Sequence, residues 1–252
     1  VLSNCDVVTN IDFNAALQQH IDTEADITII YSKGFYSKEK NPSTNVISVD
    51  ENHTVKEVLI TPAITGECNV SLEMFIMRTE FLKKIVQEAA SKSQHSLVRD
   101  VLQGRKDEFV IKGYEHKGVF TKIDGLAAYY QANLSLLQAD TRAGLFQESA
   151  PIYTKVGDNA PVKYGLESSV KNSLIADGCV IEGSVENCVL FRGVRIGKDA
   201  VVKNSVLMQG THVGEKCNIE RVIADKNVDI SSDKVLTGSD DFPLYLSKNG
   251  KI

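Results

Sequence analysis

Between residues 169 and 230, aliphatic side chains recur every six positions along the chain. The longest series is Leu190, Ile196, Val202 and Met208, and pairs with the same step are Ile175 with Ile181 and Val213 with Ile219. Small or short apolar residues follow four positions after many of these: Cys179, Val185, Val194, Ala200, Val206 and Cys217. A period of six, with turn-forming Gly, Asp and Asn between the apolar positions, is typical of a parallel β-helix, whose coils stack their inward aliphatic residues.

The six-residue step changes at two places. It lengthens to nine between Ile181 and Leu190 and shortens to five between Met208 and Val213. At each place we expect either a loop that leaves the coil or a corner that tightens. The pattern predicts a left-handed parallel β-helix of hexapeptide repeats over residues 169–252.

Residues 1–138 show a different pattern, in which β-branched runs alternate with segments of helical periodicity. Strands are predicted at 26–31, 72–77 and 108–111, and a β-hairpin at 45–50 and 54–59. Helices are predicted after a cap at Asn14, at 79–91 with Thr79 as the cap, at 96–103 with a stop at Gly104, and after a cap at Asp124. Their expected inward residues are Ala16, Leu17 and His20; Phe81, Leu82, Ile85 and Val86; and Leu126, Tyr130, Leu134 and Leu137. This alternation implies an α/β layer with an antiparallel addition.

Two segments lack either period. Residues 34–43 are polar and contain Pro42, and we interpret them as a solvated loop rather than a phosphate-binding one. Residues 139–168 contain Pro151, Gly157, Pro161 and Gly165, which indicates a linker. The predicted organisation is therefore an α/β domain at 1–138, a linker at 139–168 and a β-helix domain at 169–252.

Composition and charge exclude several classes of function. The formal net charge of -5 gives no electrostatic reason to expect a nucleic-acid or membrane-surface partner. No apolar run approaches the roughly 20 residues that a transmembrane helix needs. The five cysteines have no C-x-x-C spacing, which disfavours both a disulfide framework and a zinc site and favours the cytoplasm; those in the repeat are expected to be small buried hydrophobic residues. The chain begins at Val1, so we expect it to be part of a longer protein.

Three features in order along the chain carry a family resemblance. They are Ala128-Tyr-Tyr-Gln-Ala-Asn-Leu134 at the end of the α/β segment, Pro151-Ile-Tyr-Thr154, and then the hexapeptide repeat. In this order they resemble glucose-1-phosphate adenylyltransferase (ADP-glucose pyrophosphorylase), and the resemblance covers nearly the whole chain from Leu2. It implies a Rossmann-like catalytic domain that makes ADP-glucose from ATP and glucose 1-phosphate with Mg²⁺. It also implies a β-helix that serves allosteric control and tetramer assembly.

The chain departs from the family pattern where the family binds its substrates. The lysine of the family's Glu-Lys-Pro is Thr61 here, which cannot supply a charge to a sugar phosphate. The family's Ser-Met-Gly, whose glycine faces the sugar, becomes Ser71-Leu72-Glu73. A magnesium-binding aspartate is replaced by Lys122, and a further site aspartate by Ser96.

The N-terminal metal carboxylate depends on the alignment. The family's central Gly-Asp falls either on Asn4-Cys5, which loses the carboxylate, or on Cys5-Asp6, which retains it in Asp6. With the other losses, this resemblance implies the regulatory, catalytically poor type of subunit, the GlgD type, with no catalytic residues and no tightly bound cofactor. The implied partner is a catalytic homologue of the same family in a hetero-oligomer, a tetramer.

The same residues are also compatible with other functions. An active sugar-phosphate nucleotidyltransferase shares the architecture. A hexapeptide acyltransferase would use His212, the one histidine of the repeat, as a general base, but would leave the α/β segment unexplained. A pure assembly protein with no ligand is a third class. Candidates for binding a phosphorylated sugar or nucleotide effector are Arg192, Arg195, Lys198 and Lys203, for which a solvated basic face is the alternative.

Overall fold

The computed structural model describes residues 1–39, 42–154 and 156–252, and the chain forms two units, Val1–Asp124 and Gly125–Ile252. The units divide before the helix that contains Ala128–Leu134, whereas the boundary expected from the sequence follows that helix. Lys40 and Asn41 of the predicted loop and Lys155 of the predicted linker lie outside the described residues. Among the helices of these ranges, none combines the length and apolar character needed to cross a bilayer.

Unit 1, Val1–Asp124, is an α/β unit built on a mixed sheet. Its strands are β1 (Leu2–Ser3), β2 (Val7–Thr9), β3 (Ile27–Ser37), β4 (Asn45–Val49), β5 (Val55–Ile60), β6 (Thr65–Met77), β7 (Ile111–Glu115) and β8 (Phe120–Lys122). Its helices are α1 (Phe13–Asp22), α2 (Thr79–Ser91), a π-helical turn at Leu97–Gln103 and a 3-10 turn at Lys106–Glu108. The predicted α/β class and the β4–β5 hairpin are confirmed.

The main sheet of unit 1 has six strands in the order β5-β4-β6-β3-β7, with β1 also paired to β6. Only the β3–β7 pair is parallel, and β2 pairs with β8 in a separate antiparallel ribbon. Both faces of β3 are buried: Ile27 and Ile29 pack with Ile85 of α2, and Ile30 packs with Ala16 of α1. This burial on both faces explains why the strand is a continuous apolar run rather than an alternating one.

The ends of several elements differ from those predicted. Asp12, not Asn14, caps α1, because its carboxylate accepts from the Asn14 amide at 2.9 Å. Arg78 and Gly125 occupy the cap positions of the helices at 79 and 126, without a side-chain hydrogen bond, so Thr79 and Asp124 are not caps. The predicted strand at 108–111 begins only at Ile111, and β3 extends through 34–37, part of the predicted loop.

Some predicted inward positions are also wrong. Leu17, Val86 and Leu126 are exposed, whereas Ala16, His20, Ile85 and Tyr130 are buried as expected. Each exposed residue lies at the margin of its apolar stripe, where a helical period alone does not decide which side chains reach the core. The stop at Gly104 is confirmed, with Ser96 capping the π-helical turn through its hydroxyl.

Unit 2, Gly125–Ile252, contains two helices and the β-helix. The helices are α3 (Leu126–Ser135) and α4 (Ala139–Leu145), so the segment interpreted as a linker begins with a helix. The strands are β9 (Lys163–Tyr164), β10 (Ser169–Lys171), β11 (Leu174–Ile175), β12 (Val180–Ile181), β13 (Ser184–Glu186), β14 (Val189–Leu190), β15 (Arg195–Ile196), β16 (Val201–Lys203), β17 (Val206–Leu207), β18 (His212–Val213), β19 (Asn218–Glu220), β20 (Val222–Ala224), β21 (Asp229–Ile230), β22 (Val235–Thr237) and β23 (Leu244–Leu246).

The fifteen strands of unit 2 form three parallel five-stranded sheets, which confirms the predicted β-helix. Each strand is hydrogen-bonded to the strand three later in the chain, which lies in the next coil. The three sheets are β10-β13-β16-β19-β22, β11-β14-β17-β20-β23 and β9-β12-β15-β18-β21. Cys179, Cys188 and Cys217 are buried free thiols in this core, as predicted. Burial raises the pKa of Cys188 to about 12, so it stays a neutral thiol that packs as a small apolar side chain.

The inward row of the β-helix differs from the six-residue series at two places. Leu207, not Met208, pairs with Leu190 and joins the core, while Val206 and Met208 pack with Tyr130 of α3 on the outside of the coil. Between Ile181 and Leu190, Val185 takes an inward position in register with Val202, so the step of nine is a tightened corner and not an extruded loop.

Candidate functional site

A β-bulge in β6 places Glu73 at the centre of the altered positions in unit 1. Ile30 of β3 pairs with Met74 and Tyr31 with Ser71, which leaves Leu72 and Glu73 as extra residues. Glu73 has a φ of 53°, in the left-handed region that glycine adopts without strain and other residues rarely enter. A bulge redirects a side chain from the strand's regular alternation, and here it redirects a carboxylate.

The Glu73 carboxylate is the acceptor for three side chains from different elements. Lys122 Nζ lies 2.8 Å from Glu73 Oε1, and Asn45 Nδ2 donates to the same oxygen at 3.1 Å. Asn4 Nδ2 donates to Oε2, and the Asn4 amide donates to the Glu73 carbonyl at 3.3 Å. Ser71 Oγ accepts from the Glu73 amide at 3.2 Å. These bonds hold the left-handed backbone of Glu73, which costs on the order of 1–2 kcal/mol.

Lys122 reaches Glu73 from the separate β2–β8 ribbon. Its side chain is only 5% exposed, and that of Glu73 is 11% exposed. The ammonium group also donates to the Ser43 carbonyl at 2.8 Å and lies 3.8 Å from Asp6 Oδ2. Val7 pairs with Lys122 and the Ile123 amide donates to the Asp6 carbonyl at 2.6 Å, so the ribbon fixes Asp6 beside Lys122. We call Asn4, Asp6, Asn45, Glu73 and Lys122 the Glu73–Lys122 cluster.

The residues of the cluster do not fit a magnesium ion. Magnesium needs oxygen ligands around a position free of other cations, and the space between Asp6 and Glu73 is taken by the Lys122 ammonium. Within the described ranges, no three His, Cys, Asp or Glu residues are grouped so as to hold a metal ion. Oδ1 of Asp6 is buried and has no hydrogen-bond partner among the described residues.

The remaining positions that differ from the family pattern are Ser71, Thr61 and Ser96, and they differ in whether they contact this cluster. Ser71 contacts the cluster, because its hydroxyl accepts from the Glu73 amide. Thr61 follows β5 with a φ of 43°, and no hydrogen bond or ion pair of the described residues joins it to Glu73 or Lys122. Beside it, Tyr36 donates to the Pro62 carbonyl at 3.0 Å, and burial raises the pKa of this phenol, so it stays a donor. Ser96 caps the π-helical turn and contacts Arg99.

Two of the four basic residues considered for an effector lie on different sheets of the β-helix, and three of the four lie beside carboxylates. Arg195 lies on β15, whereas Lys203 ends β16 in another sheet of the β-helix. Arg192 Nε donates to Asp177 at 2.9 Å, Lys198 lies 3.7 Å from Glu167, and Lys203 lies 3.8 Å from Glu186.

Asp177 beside Arg192 is held as a carboxylate. Hydrogen bonds from Asn159 and then from Arg192 lower its pKa. The Arg192 guanidinium therefore faces a fixed negative charge, and a phosphorylated ligand at this corner would have to compete with it.

His212, the residue on which an acyltransferase mechanism would depend, is half exposed on β18. Its Nδ1 lies 2.8 Å from Asp229 Oδ1, on the outward side of one flat sheet of the β-helix. The pair is exposed on the outward face of this sheet, and an acyltransferase mechanism would still leave the whole of unit 1 without a role.

Sequence reasoning found Glu73 and Lys122 as departures from a family pattern but did not predict that they form a pair. It also did not predict the roles of Asn4 and Asn45, whose side-chain amides donate hydrogen bonds to the Glu73 carboxylate. Nor did it predict the role of Ser43, whose carbonyl accepts a hydrogen bond from Lys122. Asn4 was considered only as one alignment option. A backbone carbonyl leaves no signal in residue type, so Ser43 had none to find.

Comparisons with known proteins match both the β-helix and most of the chain. The family described as "GlmU-like, C-terminal hexapeptide" matches residues 160–241, which is the β-helix. The chain is 34% identical to the glycogen biosynthesis protein GlgD of Bacillus subtilis (strain 168) over 98% of its own length and 62% of that protein. It is 36% identical to GlgD of Geobacillus stearothermophilus over 80% of the chain and 48% of that protein.

A catalytic relative is similar at nearly the same level. Glucose-1-phosphate adenylyltransferase of Geobacillus stearothermophilus is 33% identical over 79% of the chain and 51% of that protein. The chain thus spans between 48% and 62% of the length of these three relatives. It is similar both to the proteins named GlgD and to glucose-1-phosphate adenylyltransferase.

Proposed function

We propose that this chain is part of a regulatory, catalytically poor subunit that modulates glucose-1-phosphate adenylyltransferase in glycogen biosynthesis. The reaction of the partner converts ATP and glucose 1-phosphate to ADP-glucose and diphosphate with Mg²⁺. The proposed partner is a catalytic homologue in a cytoplasmic hetero-oligomer, a tetramer, whose response to a phosphorylated effector this subunit changes. The names of the GlgD relatives support a role in glycogen biosynthesis.

The observation that carries the proposal is the buried ion pair between Glu73 and Lys122. A bound sugar phosphate would meet the carboxylate of Glu73, and a magnesium ion would meet the ammonium of Lys122. Both charges have the wrong sign for the ligand that the family places there, and each is held by the other. Because the pair is satisfied internally, substrate would have to break it before binding.

The experiment compares three preparations at saturating ATP, glucose 1-phosphate and Mg²⁺. The full-length protein alone is expected to make ADP-glucose at least about 100-fold more slowly than its catalytic homologue, because about 3 kcal/mol of transition-state stabilisation is a factor of roughly 100. The mixture, assayed over a range of substrate and effector concentrations, is expected to differ from the catalytic homologue alone in substrate affinity or effector response. Rapid turnover by the isolated protein that is abolished by Asp6→Asn would refute the regulatory role.

A second experiment tests the assignment of the site residues. The triple variant Thr61→Lys, Glu73→Gly and Lys122→Asp restores the charges of the family pattern and removes the left-handed strain at residue 73. We expect it to bind glucose 1-phosphate more tightly by calorimetry in the presence of Mg²⁺. The matched control is Lys33→Asp with Glu115→Gly, which alters an exposed ion pair in the same unit. Equal binding by the wild type, the control and the triple variant would show that the site has been assigned to the wrong residues.

A further inference from the structure

We propose that the Lys122 ammonium group is the resident cation between Asp6 and Glu73, in place of a divalent metal ion, and that its removal opens a divalent-cation site in unit 1. The inference concerns the charges of one unit. It holds or fails whether or not the regulatory role is correct, because its test uses neither turnover nor a partner subunit.

The groups around the Lys122 ammonium are oxygen atoms of the kind that also bind metal ions. Lys122 Nζ lies 2.8 Å from Glu73 Oε1, 2.8 Å from the Ser43 carbonyl and 3.8 Å from Asp6 Oδ2. All three are hard oxygen ligands, two of them carboxylates, which is the ligand chemistry that Mg²⁺, Mn²⁺ and Ca²⁺ select. The surrounding oxygens therefore suit a cation, and the lysine decides which cation is present.

Asp6 is only partly satisfied by its neighbours. One carboxylate oxygen faces the ammonium, while Oδ1 is buried and unpartnered among the described groups. The Asp6 side chain as a whole is 28% exposed, so only Oδ1 has lost its contact with water without gaining a partner, and a nearby positive charge offsets part of that cost. The ammonium supplies that charge in the folded protein, so no metal ion is needed to hold Asp6 and Glu73 close together.

The two carboxylates are attached to different elements of unit 1. Glu73 is fixed by the bulge of β6 and by Asn4 and Asn45, and Asp6 is fixed by the backbone bond to Ile123. Neither carboxylate depends on the side chain of Lys122 for its backbone position. Replacement of the lysine by a neutral side chain of similar length should therefore leave two negative groups facing one space.

The probe is Mn²⁺, measured by electron paramagnetic resonance of the free ion, without nucleotide or sugar phosphate. Wild-type protein is expected to leave the free Mn²⁺ signal unchanged at equimolar concentrations. Lys122→Met is expected to bind Mn²⁺ at least tenfold more tightly than wild type, and Mg²⁺ should compete. Hydrogen exchange of β6 and β8 should slow in that variant when Mn²⁺ is added, and Asp6→Asn in the same background should abolish both effects.

The matched control is Lys33→Met, which removes the exposed lysine of the Lys33–Glu115 pair and should gain no Mn²⁺ binding. The proposal is overturned if wild-type protein binds Mn²⁺ in a manner that Asp6→Asn abolishes, and this arm needs no Lys122 variant to fold. It is equally overturned if Lys122→Met, or the more polar Lys122→Gln, keeps native exchange protection in unit 1 yet binds Mn²⁺ no better than wild type.

Discussion

The Glu73–Lys122 ion pair should show a large coupling energy in a double-mutant cycle. Glu73→Gln removes the negative charge but keeps the shape, and Lys122→Met removes the positive charge but keeps an unbranched stem. Each single variant leaves one nearly buried charge without its partner, which typically costs about 3–5 kcal/mol. Remaining contacts, Asn4 and Asn45 for Glu73 and Ser43 for Lys122, place both near the lower end of that range.

The double variant removes both charges at once and should be less destabilised than the sum of the two single variants. We expect a coupling energy on the order of 2–3 kcal/mol, because close, buried partners depart most from additivity. The left-handed backbone at residue 73 does not affect this number, since a non-glycine residue occupies it in all four proteins. The control cycle is Lys33→Met with Glu115→Gln, an exposed pair whose coupling should stay below about 1 kcal/mol.

The assay is native-state hydrogen exchange followed on peptides that cover β6 and β8. A global melting temperature is unsuitable because the chain has two units and one transition need not report unit 1. A coupling energy below about 0.5 kcal/mol, equal to that of the exposed pair, would refute the reasoning. It would mean that water reaches the two charges well enough to replace each partner.

Three further predictions concern single positions. Burial lowers the pKa of His20 below 6.5, so at lower pH the unfolded chain binds more protons than the folded one and unit 1 should lose stability as the pH falls below about 6.5. The variant His20→Asn should flatten this pH dependence in hydrogen exchange. The variant His212→Gln, at an exposed histidine, should leave it unchanged. Leu207→Ala should destabilise the β-helix by about 2–5 kcal/mol in denaturant unfolding, and Met208→Ala by less. The reverse order would mean that Met208, as in the six-residue series, is the inward residue. Asn187 has a φ of 53° and links Asn172 to Asn204, so Asn187→Ala should cost about 1–2 kcal/mol more than Asn187→Gly; equal losses would mean that the backbone conformation is unimportant there.

The sequence alone determined the β-helix because its period is short and repeated. Inward positions such as Ile181, Ile196 and Val213 recur with little help from the rest of the chain, and each coil contacts mainly its neighbours. The sequence did not show whether Leu207 or Met208 points into the core, for a physical reason. Adjacent strand residues point to opposite faces, and Leu207 and Met208 are both apolar because α3 covers the outer face there.

The α/β class of unit 1 was also determined by the sequence, since long buried runs such as β3 and periodic helices such as α2 differ in period. Helix caps were less well predicted. Asn14 and Asp12 are equally good capping residues by type, and only the backbone shows which of them precedes the first turn.

The pairing of Glu73 with Lys122 was decided by the tertiary structure alone. The two residues lie far apart in the sequence, on strands that belong to different sheets, and each alone indicates only the loss of a family residue. A bulge in β6 aims the carboxylate, and the β2–β8 ribbon delivers the ammonium together with Asp6. The sequence shows that both residues differ in charge from the family pattern. Only the fold brings the Lys122 ammonium within 2.8 Å of the Glu73 carboxylate, where each neutralises the other.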